Sequence, residues 1–106
     1  MSYRFMRIVL FFDLPTLTEK NRKEYTRFRK FLIKTGFMML QESVYVKLAM
    51  NQGSADLIVK SIRKICPEEG IVQVLQVTEK QFSKMEFLVG ETQTDYVDSD
   101  ERFIEL

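Results

Sequence analysis

Histidine does not occur in this chain of 106 residues, and cysteine occurs once, at Cys66. One thiol closes no intrachain disulfide. Without histidine there is no Cys/His zinc site and no general base for a serine or cysteine nucleophile. Acid–base or metal chemistry is left to Asp, Glu, Lys and Tyr. Cys66 reads as a small buried apolar residue near a helix end. No apolar run approaches the roughly 20 residues of a membrane-spanning helix, and Met1-Ser2-Tyr3-Arg4-Phe5 lacks the features of a signal peptide, so a cytoplasmic location is expected. Also missing are a glycine-rich phosphate loop, a GxSxG motif, and the aromatic pattern of RNA-recognition motifs on strands one and three.

What is there is the length of one domain. Ile8-Val9-Leu10-Phe11-Phe12 is a continuous apolar run, the pattern of a strand covered on both faces; the strand is predicted over 4–13, stopped by Pro15. Thr16-Leu17-Thr18-Glu19 fits a capping box, predicting a helix over about 17–35 closed by Gly36, with Tyr25, Phe28 and Leu32 on one face. Phe37 to Leu48 reads as two strands joined by a tight turn or bulge; whether they form a hairpin or one bent strand is left open by the sequence. Met38 and Met39 are expected in the core. Ser54 is placed as the cap of a second helix over about 55–65, ended by Pro67. Ile71 to Val77 is a further strand, rich in β-branched residues.

The order β-α-β-β-α-β predicts an α+β, ferredoxin-like antiparallel sheet with both helices on one face. A strand as apolar as 8–12 then needs a cover on the other face, and a second copy is the simplest one: a homodimer is expected. Residues 1–90 form the ferredoxin-like domain of this reading. They carry 15 Lys/Arg against 9 Asp/Glu, a net of +6, whereas residues 91–106 carry Arg102 against Glu91, Asp95, Asp98, Asp100, Glu101 and Glu105, a net of −5. A basic body suggests a polyanion partner. The acidic extension ends in Phe103-Ile104-Glu105-Leu106, and Met85-Glu86-Phe87-Leu88-Val89 alternates like a strand; both suggest extension strands, with 91–106 docking on a sheet edge.

Two features could carry chemistry. Asp13 is a carboxylate at the end of an apolar strand, where a charge needs a partner, hydrogen bonds or a metal. A two-fold axis could bring two Asp13 side chains together, to share a proton or a divalent cation; Mg²⁺ is held by as few as one or two carboxylates. The other reading of Asp13 is a turn residue that caps local amides. The second feature is a stripe on the first helix. Lys20, Lys23, Arg27, Lys30 and Lys34 fall within an arc of about 80°, and residues 19–34 hold seven basic residues against two acidic ones. A solvated helix usually mixes signs; one sign suits a phosphate backbone. Arg22 and Arg29 lie on another flank, for a second contact or an ion pair.

Taken together, the strand ending in Asp13-Leu14-Pro15, the basic first helix, and Gly36-Phe37 leading into Gln41-Glu42-Ser43-Val44-Tyr45 resemble a known family over about residues 4–90. It is the small CRISPR adaptation protein, the second CRISPR-associated core protein and partner of the CRISPR integrase. The acidic extension resembles its forms from systems with a single large DNA effector. The resemblance implies a role in antiviral spacer acquisition: a homodimer bridging two integrase dimers, laid across a precursor-spacer DNA duplex through backbone contacts. It implies Asp13 as Mg²⁺ ligand, and as catalytic residue in those members reported as metal-dependent nucleases on single-stranded RNA or duplex DNA. The integrase performs the transesterification. Only Asp13 maps firmly; the lysine stripe matches the family's basic contacts loosely. The alternative from the fold alone is a regulatory small-molecule-binding dimer.

Overall fold

The computed structural model describes residues 4–90. Strand β1 is Met6–Asp13, helix α1 Glu19–Lys34, β2 Met38–Gln41, β3 Val44–Ala49, α2 Gln52–Ile65, β4 Ile71–Thr78 and the short α3 Glu79–Phe82. The sheet runs in the order β2-β3-β1-β4 with every neighbouring pair antiparallel, as the α+β, β-α-β-β-α-β reading requires.

Alternation along β1 sorts its residues. Met6, Ile8, Leu10 and Phe12 join Phe28 and Leu32 of α1, Ala55 and Ile62 of α2, and Tyr45 and Ala49 of β3 in one core. Phe12 sits at its centre, edge-on to Tyr25 and Phe28 and stacked on Tyr45, each ring centroid 5.7 Å away. The Tyr45 hydroxyl accepts from Arg29 Nε at 2.9 Å, so this buried polar atom is satisfied and Arg29 is accounted for structurally.

The helix boundaries differ from those read off the sequence. α1 is capped by Thr18, not Thr16. Thr18 Oγ1 accepts from the Asn21 amide at 3.0 Å, and Asn21 Oδ1 accepts from the Thr18 amide, completing a capping box in which Asn replaces the usual Glu. Arg22 donates to the carbonyls of Thr16 and Leu17, which holds those residues outside the helix. At the other end Gly36 (φ 104°) donates to Ile33 O and Phe37 to Leu32 O, a Schellman motif that needs a left-handed residue at Gly36. α2 starts earlier than expected because Asn51 Oδ1, not Ser54, accepts the capping bond, from the Ser54 amide at 2.8 Å.

Residues 38–49 form a hairpin. Gln41 pairs with Val44 across Glu42-Ser43, Ser43 takes φ 67°, and a bulge falls between Met39 and Gln41. The methionines expected inside are exposed: Met38 is 42% and Met39 50% accessible. Among the described residues their strand is the edge of the sheet. Residues 85–89, expected as a strand, form none; the chain instead turns through α3. The extension 91–106 lies outside the described residues.

Candidate nucleic-acid interface

The odd-numbered residues of β1 face away from the helices. Register places Arg7, Val9, Phe11 and Asp13 beside Val44, Val46 and Leu48 of β3 and beside Ile71, Gln73, Leu75 and Val77 of β4. Part of this surface is roofed by the chain itself. Phe82 and Met85 form an apolar cleft with Val9, Phe11, Leu40, Val44, Leu75 and Val77. Arg7, the cation on this face, is matched internally: its guanidinium ion-pairs with Glu79 and lies 4.8 Å from the centroid of the Phe82 ring, within cation–π range. The remainder is open. Leu75 is 53% and Ile71 54% accessible, so the expected two-sided cover of β1 is complete on the helix side only.

Asp13 closes β1 at one end of this open face, paired with Ile71. Gly70 sets that corner. It has φ 96°, and a Cβ there would lie 2.7 Å from the Asp13 carbonyl oxygen, so only glycine lets the loop before β4 pass this close. The Asp13 carboxylate is exposed, and among the described residues it makes no hydrogen bond or ion pair. Nor does any cluster of three acidic or sulfur groups converge anywhere among them. A single exposed carboxylate is a poor cage for a metal by itself, but it is the donor that Mg²⁺, which keeps most of its waters, accepts.

The helix face carries the other candidate. Phe28 and Leu32 are buried beneath α1, which turns Lys20, Lys23, Lys30 and Lys34 outward, all exposed and unpaired among the described residues. Arg27 is placed differently from its stripe-mates. It pairs with Glu24 at 2.6 Å and reaches Ile65 O of α2 at 3.4 Å, tying the two helices together. Arg22, Lys23, Thr26, Arg27 and Lys30 line one shallow groove together with Glu19. Because α1 runs back along β1, its first turn, with Lys20 and Lys23, lies at the Asp13 end of the molecule.

Cys66 caps α2, half-buried; burial pushes its thiol above the ordinary value of 9.0, opposed by the nearby Arg63 charge. It is a packing residue. Sequence reasoning passed over Lys60, Arg63 and Lys64 on α2, although three basic residues against Asp56 alone within 52–65 was a readable signal. It also passed over Arg7 and Glu79, 72 positions apart, for which no local signal exists.

A four-stranded sheet with a free strand-end aspartate, an open apolar face and a cationic first helix is the structural content of the earlier resemblance. The family model for "CRISPR associated protein Cas2" matches residues 6–85. The chain belongs to the Cas2 family. It is 55% identical over 101 residues to a CRISPR-associated endoribonuclease Cas2 of Treponema denticola, a match covering 95% of this chain and 100% of that protein. Cas2 proteins of the same description from Ligilactobacillus salivarius and Streptococcus mutans are 46% and 44% identical, each over 93% of this chain and over 98% and 91% of their own lengths. Like the sequence, the described residues contain no helix long and apolar enough to cross a membrane.

Proposed function

We propose that this Cas2-family chain acts in CRISPR adaptation as a dimeric scaffold that binds precursor-spacer duplex DNA and bridges the integrase, with residues 91–106 docking on a sheet edge. The observation that carries the reading is the row of four exposed, unpaired lysines on α1, set on a sheet whose opposite face is apolar and unfinished. Burying that face against a second copy directs both helix layers outward and leaves α1 free for phosphates. Such contacts are independent of base sequence and weaken with salt, by about 0.9 in log–log slope per neutralised phosphate.

The test is a salt series of duplex DNA titrations. Reversing charge at Lys23, Arg27 and Lys30 weakens binding and flattens the slope; an unchanged slope removes α1 as the contact surface. Sedimentation of the wild-type chain at micromolar concentration gives a dimer, and single chains indifferent to polyanions would end the proposal. A regulatory small-molecule module, the reading from fold alone, requires no duplex affinity at low salt.

The free Asp13 carboxylate supports a second activity, the endoribonuclease for which the relatives are named. Two-fold packing through the open faces supplies a second Asp13, and the pair would hold one Mg²⁺. That ion, when bound, lowers the pKa of a water at the phosphodiester. Asp13 is the residue of this chain that would position it. Asp13→Asn abolishes metal-dependent cleavage and leaves duplex binding unchanged; cleavage persisting at the wild-type rate excludes Asp13 as the catalytic residue.

A further inference from the structure

We propose that the acidic residues 95–101 fold back onto the lysine row of α1 in the same chain and occupy it until a polyanion displaces them. This rests on the polyanion reading above and gives the acidic part of the extension its surface, leaving the sheet edge to residues 103–106. Asp95, Asp98, Asp100 and Glu101 fall in an extension that carries −5 against the +6 of residues 1–90. On α1, Lys20, Lys23, Lys30 and Lys34 are exposed and meet no carboxylate among the described residues; the ion pair of that helix is Arg27 with Glu24.

The spacings of the two charge rows agree. At a helical rise of about 1.5 Å per residue, Lys23 and Lys30 are offset by about 10 Å along α1 and the whole row by about 21 Å. In an extended polyproline-II conformation, with about three residues per turn and a rise of about 3.1 Å, Asp95, Asp98 and Glu101 share one face at steps of about 9 Å and together cover about 19 Å. The flexible lysine stems take up the remaining mismatch. Each exposed pair is weak, but the tether supplies the acidic row at an effective concentration of about millimolar, so several weak pairs act together.

Reach and direction select α1 over the cations of α2. Met85 lies across the open face from β4, in the apolar cleft with Phe11 of β1, Val44 of β3 and Leu40 of β2, so the chain is already heading for the β2 edge. That edge is on the α1 side of the sheet: Arg29 of α1 bonds to Tyr45 of β3, and α1 leads through Gly36 into β2. α2 lies on the other side, where Gln52 bonds to Gln76 of β4 and Arg63 lines a groove with Val72 and Val74. From Met85 to Asp98 the extended chain spans up to about 43 Å, whereas the body is 24 Å in its thinnest direction. The segment can therefore round the β2 edge and lie along the outer face of α1.

The experiment has one arm without nucleic acid and one with it. In the first, a water-soluble carbodiimide couples touching lysines and carboxylates of the full chain; each amide bond forms as the carbodiimide takes up the water and becomes a urea, and the linked peptides are identified by mass. Links from residues 95–101 to Lys23 and Lys30 within one chain are expected. Links chiefly to Lys60 or Lys64, products of doubled mass, or no links from this segment overturn the fold-back. In the second arm, the full-length Asp95→Asn/Asp98→Asn/Asp100→Asn/Glu101→Gln variant and the wild type are titrated with duplex DNA across a salt series. The variant is expected to bind about tenfold more tightly at low salt, the sum of several weak exposed pairs, and the difference is expected to vanish as salt rises. In a Lys23→Gln/Lys30→Gln background the gain is expected to shrink; a gain of unchanged size is an effect of net charge alone and overturns the docking. If neither chain binds duplex at low salt, the polyanion reading fails, and the cross-links still decide where the segment lies.

Discussion

Phe11 and Phe12 are chain neighbours on the central strand, and they belong to two different states of the same sheet. Phe12 is 5% accessible, held by three aromatic rings under both helices; Phe11, pointing the other way, is 37% accessible on a face that α3 only partly covers. The helix face is completed by local chain, because each strand-to-strand crossover lays its own helix down on it. On the open face, among the described residues, Phe82 and Met85 cover only part of the sheet. Arg7, the cation on that face, nonetheless meets Glu79 and Phe82, which lowers the desolvation cost of burying that surface against another protein; the Asp13 carboxylate at its end stays in water.

Phe12→Ala should break the finished side. It empties the centre of the core and is expected to cost about 3–5 kcal/mol, read as a drop in denaturant midpoint at unchanged slope. Gly70→Ala acts at the corner where the two faces meet. A left-handed backbone and a close approach to the Asp13 carbonyl are expected to cost about 1–3 kcal/mol, and the duplex affinity of the folded fraction is expected to persist. Phe11→Ala sharpens the contrast: about 1–2 kcal/mol for a partly buried ring in a single chain and, on the dimer proposed above, weaker self-association that Phe12→Ala cannot be used to measure. A loss equal to that of Phe12→Ala in dilute protein would show that the open face is already finished within one chain.

The smallest effect belongs to Cys66. Its folded-state thiol titrates above its unfolded value, so the folded chain holds the proton longer as pH rises. That contribution to stability is complete below the unfolded value of 9.0 and is lost as pH climbs through the folded one. Melting curves should therefore decline above about pH 9, and Cys66→Ser should shallow the decline; an identical alkaline limb in the variant would assign it elsewhere.

Period and punctuation carry through local sequence, and the order of the elements was legible from them. The β1 run, the Phe28/Leu32 stripe, the isoleucines of α2 and the β-branched run of β4 all lie where their spacing put them, and Asp13 stands at the end of its strand. Choices among near-equivalent local options were not legible. Thr18 rather than Thr16, and Asn51 rather than Ser54, became caps because backbone hydrogen bonds beyond each motif decided which frame the helix took. Residues 38–49 closed as a hairpin once Tyr45 had to face Phe12.

By itself, then, the sequence determined the alternation that sorts β1 into two faces, the absence of histidine and disulfide chemistry, and the sign of the charge on α1. Only the tertiary structure decided that Met38 and Met39 sit on an edge, that Arg27 reaches from α1 to α2, and that Arg7 meets Glu79. The physical reason is range. Periodicity and charge sign are properties of neighbouring residues, whereas exposure, pairing and the convergence of two helix ends arise when packing brings distant segments together.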